Sequence, residues 1–326
     1  MKPPFRLYGA ELSPYSVKVR SYLRYKGLAH EWIPRSMARQ AEFSRYAKLP
    51  LIPLIVGADE EAMQDSTPII ARLEAEHSAP SVIPPDADMA FLSVLLEDYA
   101  DEWLNKAMFH YRWSYEADQL WAAKRIVDLM TDGQVVDDRR PLEANVRERM
   151  TGRLHFVGSN AVTAPLIERS FRRFADLLEL HLRRRPYLFG HRPALADFSV
   201  FGQILELLSD PTPGGILRAH HPHVVDYVDR MLEPAEQGDW DPPAEVMATL
   251  KPLLDAEIPL YLRWSHANAA AGDAPYAVTL EGAPFEQAPQ KYAVKALAAL
   301  RETYASARTP NLDALLGGEV VALLLD

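Results

Sequence analysis

Apolar positions come in short runs up to Gln64 and at helical spacing from Met89 onward, so the chain reads as an α/β layer followed by helices. Phe5-Arg6-Leu7-Tyr8 is a short strand by this pattern. A helix is expected from Pro14 to about Tyr25, because Ser13 suits the N-cap, Pro14 the first helical position and Gly27 the exit. Glu31-Trp32-Ile33 reads as a second strand, Leu51 to Val56 as a third and Glu61 to Gln64 as a fourth, with an irregular helical piece around 37–48. Ser66 is expected to cap a helix carrying Ile69, Ile70 and Leu73. Pro80, Pro84 and Pro85 then mark a linker.

Beyond the linker, helices are expected over Met89 to about Met108, Leu142 to about Leu154, and a stretch in which Ile167, Phe171, Phe174, Leu178 and Leu182 share a face. Asp197 to Leu208 is apolar enough for a buried central helix, and Val224 to Leu232 follows. After a break at Asp239 to Pro243 come a helix from about Ala244 to Trp264 and a Gly/Pro-punctuated stretch over 272–289. A last helix puts Val294, Leu297, Leu300 and Tyr304 on one face. The expected division is an α/β domain over 1–82, an all-helical domain over 88–235, and a mostly helical extension over 236–326 packed on the helical domain.

A length of 326 residues with 48% hydrophobic and 25% charged positions suits a multidomain globular protein. No apolar stretch reaches the roughly 18 residues of a membrane span. Met1-Lys2-Pro3-Pro4 lacks the apolar core of a signal peptide, so a cytoplasmic location is expected, with no membrane partner. The formal charge of −10 argues against a nucleic-acid partner. Cysteine is absent, which excludes disulfides and any mechanism with a protein thiol; a thiol taking part here belongs to a ligand.

Three segments carry candidate chemistry. Ser13-Pro14-Tyr15-Ser16 puts a hydroxyl at a helix N-terminus, where unpaired N–H groups favour an anion such as a thiolate. The alternative is that Ser13 is simply a cap; Ser16 and Tyr8 are weaker candidates for the same work. Ile52-Pro53-Leu54 puts a proline in a strand, either as an ordinary edge residue or as a cis turn that leaves main chain free for an extended ligand. Asp65-Ser66 sets a carboxylate and a hydroxyl beside a second helix N-terminus, which suits a ligand's ammonium and carboxylate, or plain capping.

In order and spacing, residues 5–75 resemble the thioredoxin-like N-terminal domain of the cytosolic glutathione transferase superfamily. The resemblance runs through Leu7-Tyr8-Gly9, Ser13-Pro14 with Lys18-Val19-Arg20, Ile52-Pro53, and Asp65-Ser66 with Ile69-Ile70. It implies that Ser13 activates the thiol of glutathione, that Pro53 is the family's cis-proline beside Ile52, and that Asp65 and Ser66 hold the γ-glutamyl end. Asp65 stands where the family usually has Glu. Arg39 is implied at the glycine carboxylate. Tyr187-Leu188-Phe189-Gly190 and Pro193-Ala194-Leu195-Ala196-Asp197-Phe198 resemble the family's helical domain, with Ala194 replacing the usual Ser or Thr of a capping box. The resemblance covers roughly 5–235 and leaves 236–326 without an assigned motif.

The aromatic-rich segment holding Trp103, His110 and Tyr111 is the expected substrate pocket by resemblance, with domain core as the even alternative. His220, His221 and His223 are split by Pro222 and lack a carboxylate cluster, so no metal is expected. The implied function is conjugation of the glutathione thiolate, glutathione being the co-substrate, to a small hydrophobic electrophile. The alternatives are a glutathione-dependent lyase or isomerase, and a non-catalytic ligand-binding member of the same fold. A homodimer is implied by the resemblance.

Overall fold

A computed structural model describes residues 1–326. Strand β1 (Phe5–Gly9), helix α1 (Pro14–Tyr25), β2 (His30–Pro34), a short α2 (Gln40–Tyr46), β3 (Leu54–Val56), β4 (Ala62–Gln64) and α3 (Ser66–Glu76) make the first layer. The sheet order is β2-β1-β3-β4, with β1 parallel to β2 and the other pairs antiparallel. Side chains alternate across it: Phe5, Leu7 and Ile55 enter the main core, while Tyr8, Leu54 and Val56 form a small cluster with Ile33 and Phe43. The layer is thioredoxin-like.

The helical domain opens with α4 (Ala87–Tyr99), which runs through a π-turn (Ala100–Leu104) into α5 (Asn105–Ser114). The single helix expected over Met89 to Met108 is thus interrupted. Then come α6 (Glu116–Thr131), α7 (Arg140–Thr151), α8 (Ala164–Leu182), α9 (Leu195–Ser209), α10 (Pro211–His220) and α11 (Pro222–Leu232). The pattern did not reveal α6, because its buried face is made of Ala122, Ala123 and Val127 while Leu120 faces out. Nor did it reveal α10, whose Pro211 starts a helix rather than breaking one. Helix α9 is the buried centre. It approaches the start of α1 so closely that a Cβ on Gly202 would lie 2.5 Å from the Pro14 carbonyl oxygen. With no hydroxyl at Ala194, the Asp197 carboxylate ties this N-terminus, accepting from the main-chain N–H of Leu188 (2.9 Å) and Ala194 (2.8 Å), and Ser93 Oγ on α4 accepts from the Ala196 N–H (3.1 Å).

The remaining chain forms α12 (Pro243–Ala270), a hairpin of β5 (Tyr276–Leu280) and β6 (Ala283–Gln287), then α13 (Lys291–Ala307), α14 (Pro310–Leu316) and α15 (Gly318–Leu325). The Gly/Pro-punctuated stretch over 272–289 is therefore largely a hairpin. Its two-residue turn uses Glu281 (φ 49°) and Gly282 (φ 78°), the left-handed pair that a tight antiparallel turn requires. On α13 the buried face is Ala293, Leu297, Leu300 and Tyr304, and Val294 points outward instead. No helix is long and apolar enough to cross a membrane.

Two buried polar junctions join the layers. Lys18 on α1 reaches Glu97 Oε1 and Asp101 Oδ2, both at 2.6 Å, and Thr67 Oγ1 on α3 at 3.2 Å. Burial alone would lower the lysine pKa; the two carboxylates outweigh it and raise it. Arg112 on α5 binds Glu206 Oε2 (2.7 Å) and Asp210 Oδ2 (2.9 Å) on the α9 side, and the Leu12 carbonyl (3.2 Å) before α1. Together they set both helix N-termini of the first layer against the helical domain.

Candidate active site

A cleft of about 540 Å³ lies where the three parts of the chain meet. From the first layer it takes Tyr15, Ile52, Pro53, Asp65 and Ser66. The Ile52–Pro53 peptide is cis, and β3 begins only at Leu54, so Ile52 and Pro53 stay outside the strand ladder. Asp65 precedes α3 with φ 81° and makes no side-chain cap, and Ser66 is the first helical residue rather than the cap. The first-turn N–H groups of α3 are thus not taken up by a capping side chain. Gln64, the last residue of β4, holds the rim: its amide bonds the main chain of Lys48, Leu49 and Leu51 at 2.6–3.1 Å.

At the start of α1, Ser13 is half-buried. Its Oγ accepts from the Ser16 N–H (3.3 Å) and the Ser16 hydroxyl (3.0 Å). The cleft wall itself is Tyr15, a member of the Ser13–Ser16 segment to which the sequence pattern assigns no role, whose hydroxyl donates to the Asp101 carbonyl and accepts from Asn105 Nδ2, each at 3.0 Å. Enclosure and the nearby Asp101 carboxylate raise its pKa well above 10, so it stays a neutral phenol. Tyr8 is fully buried and donates to Glu42 (2.6 Å), and Ser16 is fully buried as well. Arg39 is exposed beside Glu42 (3.3 Å) and lies off the cleft.

The helical domain contributes Asp101, Glu102, Asn105 and Lys106, all placed by the π-turn. Asp101 Oδ1 and Asn105 Oδ1 are buried acceptors without a partner, which fits a ligand bearing N–H groups. Trp103, His110 and Tyr111 are not on this wall. Trp103 is core, donating from Nε1 to Ser170 (3.0 Å) and packing on Trp264; Tyr111 packs on Phe171; His110 bonds Ser159 (2.8 Å) and Glu168 (3.2 Å). Helical phase explains the difference: the π-turn adds a residue and aims 101, 102, 105 and 106 at the cleft.

The third wall comes from beyond residue 236. Trp264 of α12, Gln290, and Tyr292 of α13 line the cleft, and the Tyr292 hydroxyl donates to Asp65 Oδ2 at 2.8 Å. Exposed Leu49, Leu51 and Phe156 make the rim apolar. Away from the cleft, His221 bonds Asp176 (2.8 Å) and His223 bonds Glu179 (2.6 Å).

Comparison with known proteins agrees with this architecture. Residues 7–81 match the family model of the glutathione S-transferase N-terminal domain, and residues 170–231 that of the glutathione S-transferase C-terminal domain. The two matched segments are thus similar to the N- and C-terminal domains of glutathione S-transferases, in that order along the chain. It is similar to an isoprene-epoxide–glutathione S-transferase of Rhodococcus sp. (strain AD45), at 23% identity over 68% of this chain and 92% of that one. Among solved structures, a glutathione S-transferase of Methylobacterium radiotolerans in complex with glutathione sulfonate matches at 23% identity and TM-score 0.43, covering 73% of this chain and 98% of that one. One from Rhodospirillum rubrum F11 matches at 20% and 0.44, covering 74% and 98%.

Proposed function

We propose that the protein conjugates the thiolate of glutathione to a small apolar electrophile. The observation that carries this reading is a single cleft. One wall offers an uncapped helix N-terminus, a carboxylate and main chain outside the ladder; facing it are the rings of Trp264 and Tyr292 and an apolar rim, with the polar helical wall of Asp101, Glu102, Asn105 and Lys106 between. The γ-glutamyl end would lie at Asp65 and Ser66, its carboxylate on the N–H groups of α3 and its ammonium at Asp65. The cysteinyl part would run along Ile52 and Pro53. The sulfur would sit at the start of α1, where the helix N-terminus and the Ser13 hydroxyl lower the thiol pKa from about 8.5. Tyr15, fixed by Asp101 and Asn105, would shape that end. Holding thiolate and electrophile together supplies most of the rate. The name of the Rhodococcus relative supports an electrophile of this size and polarity.

Calorimetry and kinetics on two variants test the reading. Ser66→Ala is expected to weaken glutathione binding by about 1.5–3 kcal/mol, the worth of a charge-assisted hydrogen bond. Ser13→Ala is expected to shift the rising limb of the pH–rate profile upward, with at most about 0.5–2 kcal/mol lost in stability. Unchanged affinity in the first variant would remove glutathione from this wall; an unshifted profile in the second would leave Ser13 a cap. Assembly as a homodimer, at twice the mass of one chain by light scattering, belongs to the same proposal.

A further inference from the structure

The helical wall of the cleft carries a buried lysine without a counter-ion in contact. Lys106 is only 3% exposed, yet it lines the cavity. Its Nζ donates to Gln287 Oε1 at 3.2 Å and lies 3.7 Å from the centre of the Trp264 ring. The Gln287 amide is itself fixed. Its oxygen also accepts from Trp264 Nε1 at 2.9 Å, and its nitrogen donates to the Phe156 carbonyl. An ammonium has three protons, and Gln287 takes one of them. A charge so enclosed is costly unless paired, and an apolar side chain would pack there at less cost. The neighbouring residue, Asn105, binds the Tyr15 hydroxyl, so the lysine's turn is tied directly to the start of α1.

Its electrostatic surroundings are one-sided. Glu102 and Asp101 from the π-turn, Asp65 before α3, Tyr15 of α1 and Tyr292 of α13 line the same cavity. Trp264, Phe285 and Gln287, which enclose the ammonium from α12 and the hairpin, are uncharged. Burial pulls the lysine down to about 7, with Glu102 opposing. Burial, with Asp98 and Asp101, pushes Glu102 well above the carboxylate range.

We infer that Lys106 is the proton donor to an oxygen of the second substrate, and that this substrate is an epoxide. The inference rests on the conjugation reading and names its electrophile. The thiolate sulfur forms a bond to a ring carbon. The C–O bond breaks, its electron pair stays on oxygen, and that oxygen takes a proton from the Lys106 ammonium. The product is a β-hydroxy thioether, and the neutral amine regains its proton from water. The sequence reading placed this segment in the core or the pocket without singling out Lys106, because its neighbours Trp264 and Gln287 lie far along the chain.

The test uses the full-length protein, glutathione, and two aryl electrophiles of similar size: styrene oxide, whose oxygen needs a proton, and benzyl chloride, whose chloride leaves without one. Lys106→Met is expected to lose roughly 100-fold or more in kcat/KM on styrene oxide. On benzyl chloride it should change less than about threefold. The wild-type styrene oxide profile should fall above pH about 7; benzyl chloride should show no such limb. Lys106→Arg keeps the charge but titrates far above neutrality, so its limb should vanish. Glu102→Gln should keep the limb, which separates the two titrating neighbours. Equal losses of Lys106→Met on both substrates would overturn the inference, as would a falling limb that survives in Lys106→Arg. The arginine variant carries the test if the methionine variant does not fold. Conjugation of benzyl chloride but not styrene oxide by the wild type would refute the epoxide and spare the transferase reading. Glutathione binding with turnover of neither would refute the transferase reading itself.

Discussion

The two sides of the cleft are built by opposite means. The side from the first layer is main chain and local geometry: a strand end at Pro53, a left-handed Asp65 and the first turns of α1 and α3. The side from beyond residue 236 is side chain and long-range packing: Trp264 on α12, the hairpin's Gln287 and Tyr292 on α13. A site that must hold a peptide gains from the first kind, because helix termini and strand ends present fixed donors and acceptors. A site that must enclose an apolar partner gains from the second, because aromatic rings exclude water and can be exchanged without changing the backbone. The family models end at residue 231, so this second side lies beyond the segments they match.

If the distant wall is structural as well as lining, removing its largest ring should cost the most. Trp264→Ala, at a site 1% exposed and packed on Trp103 and Tyr261, is expected to lose about 3–5 kcal/mol in denaturant unfolding. A loss confined to activity, with stability intact, would make that wall a mere cover.

The comparison sharpens at the junction of α4 and α12, where the Tyr261 hydroxyl donates to the buried Asp98 carboxyl. Burial raises the Asp98 pKa to about 7, against the Tyr261 bond and with help from Glu97 and Asp101. The folded state therefore holds this proton more tightly than the unfolded chain does. The stability it contributes is complete below about pH 4 and is lost as pH rises through about 7. Asp98→Asn cannot ionise, so it should flatten that decline and exceed the wild type by about 2–4 kcal/mol at pH 8. Parallel stability–pH curves for the two proteins would sink this account of the junction.

The smallest expected effect is at the one hydrogen bond joining the two sides. Tyr292 occupies Asp65, the group proposed to meet the ligand's ammonium. Tyr292→Phe should tighten glutathione binding by about 0.5–1.5 kcal/mol in calorimetry, since a competing donor is gone. Weaker binding would show instead that Tyr292 shares the ligand with Asp65.

Legibility follows the same division. Ser13, Pro14 and Gly27 announced α1 to the residue, and the Ile52-Pro53 and Asp65-Ser66 pairs pointed to one face of the cleft, because each signal is a property of a few consecutive residues. Arg39 was placed at the site by resemblance alone, and the irregular segment that carries it points it at Glu42. Trp103, His110 and Tyr111 were chosen for their rings, yet a π-turn decides which residues of that segment face the cleft. Periodicity cannot show one extra residue in a turn. The hairpin was hidden in a stretch of glycine and proline, and Lys106 looked like any lysine on a helix.

Alone, the sequence determined the layer order, most helix starts and the first-layer half of the cleft, since caps, strand alternation and proline positions act within a few residues. Only the tertiary structure decided that the last 90 or so residues close over that half. It also decided that a lysine, a tryptophan and a glutamine remote in sequence meet there. Those contacts depend on how helices pack, and packing is set by the whole core rather than by any local run of residues.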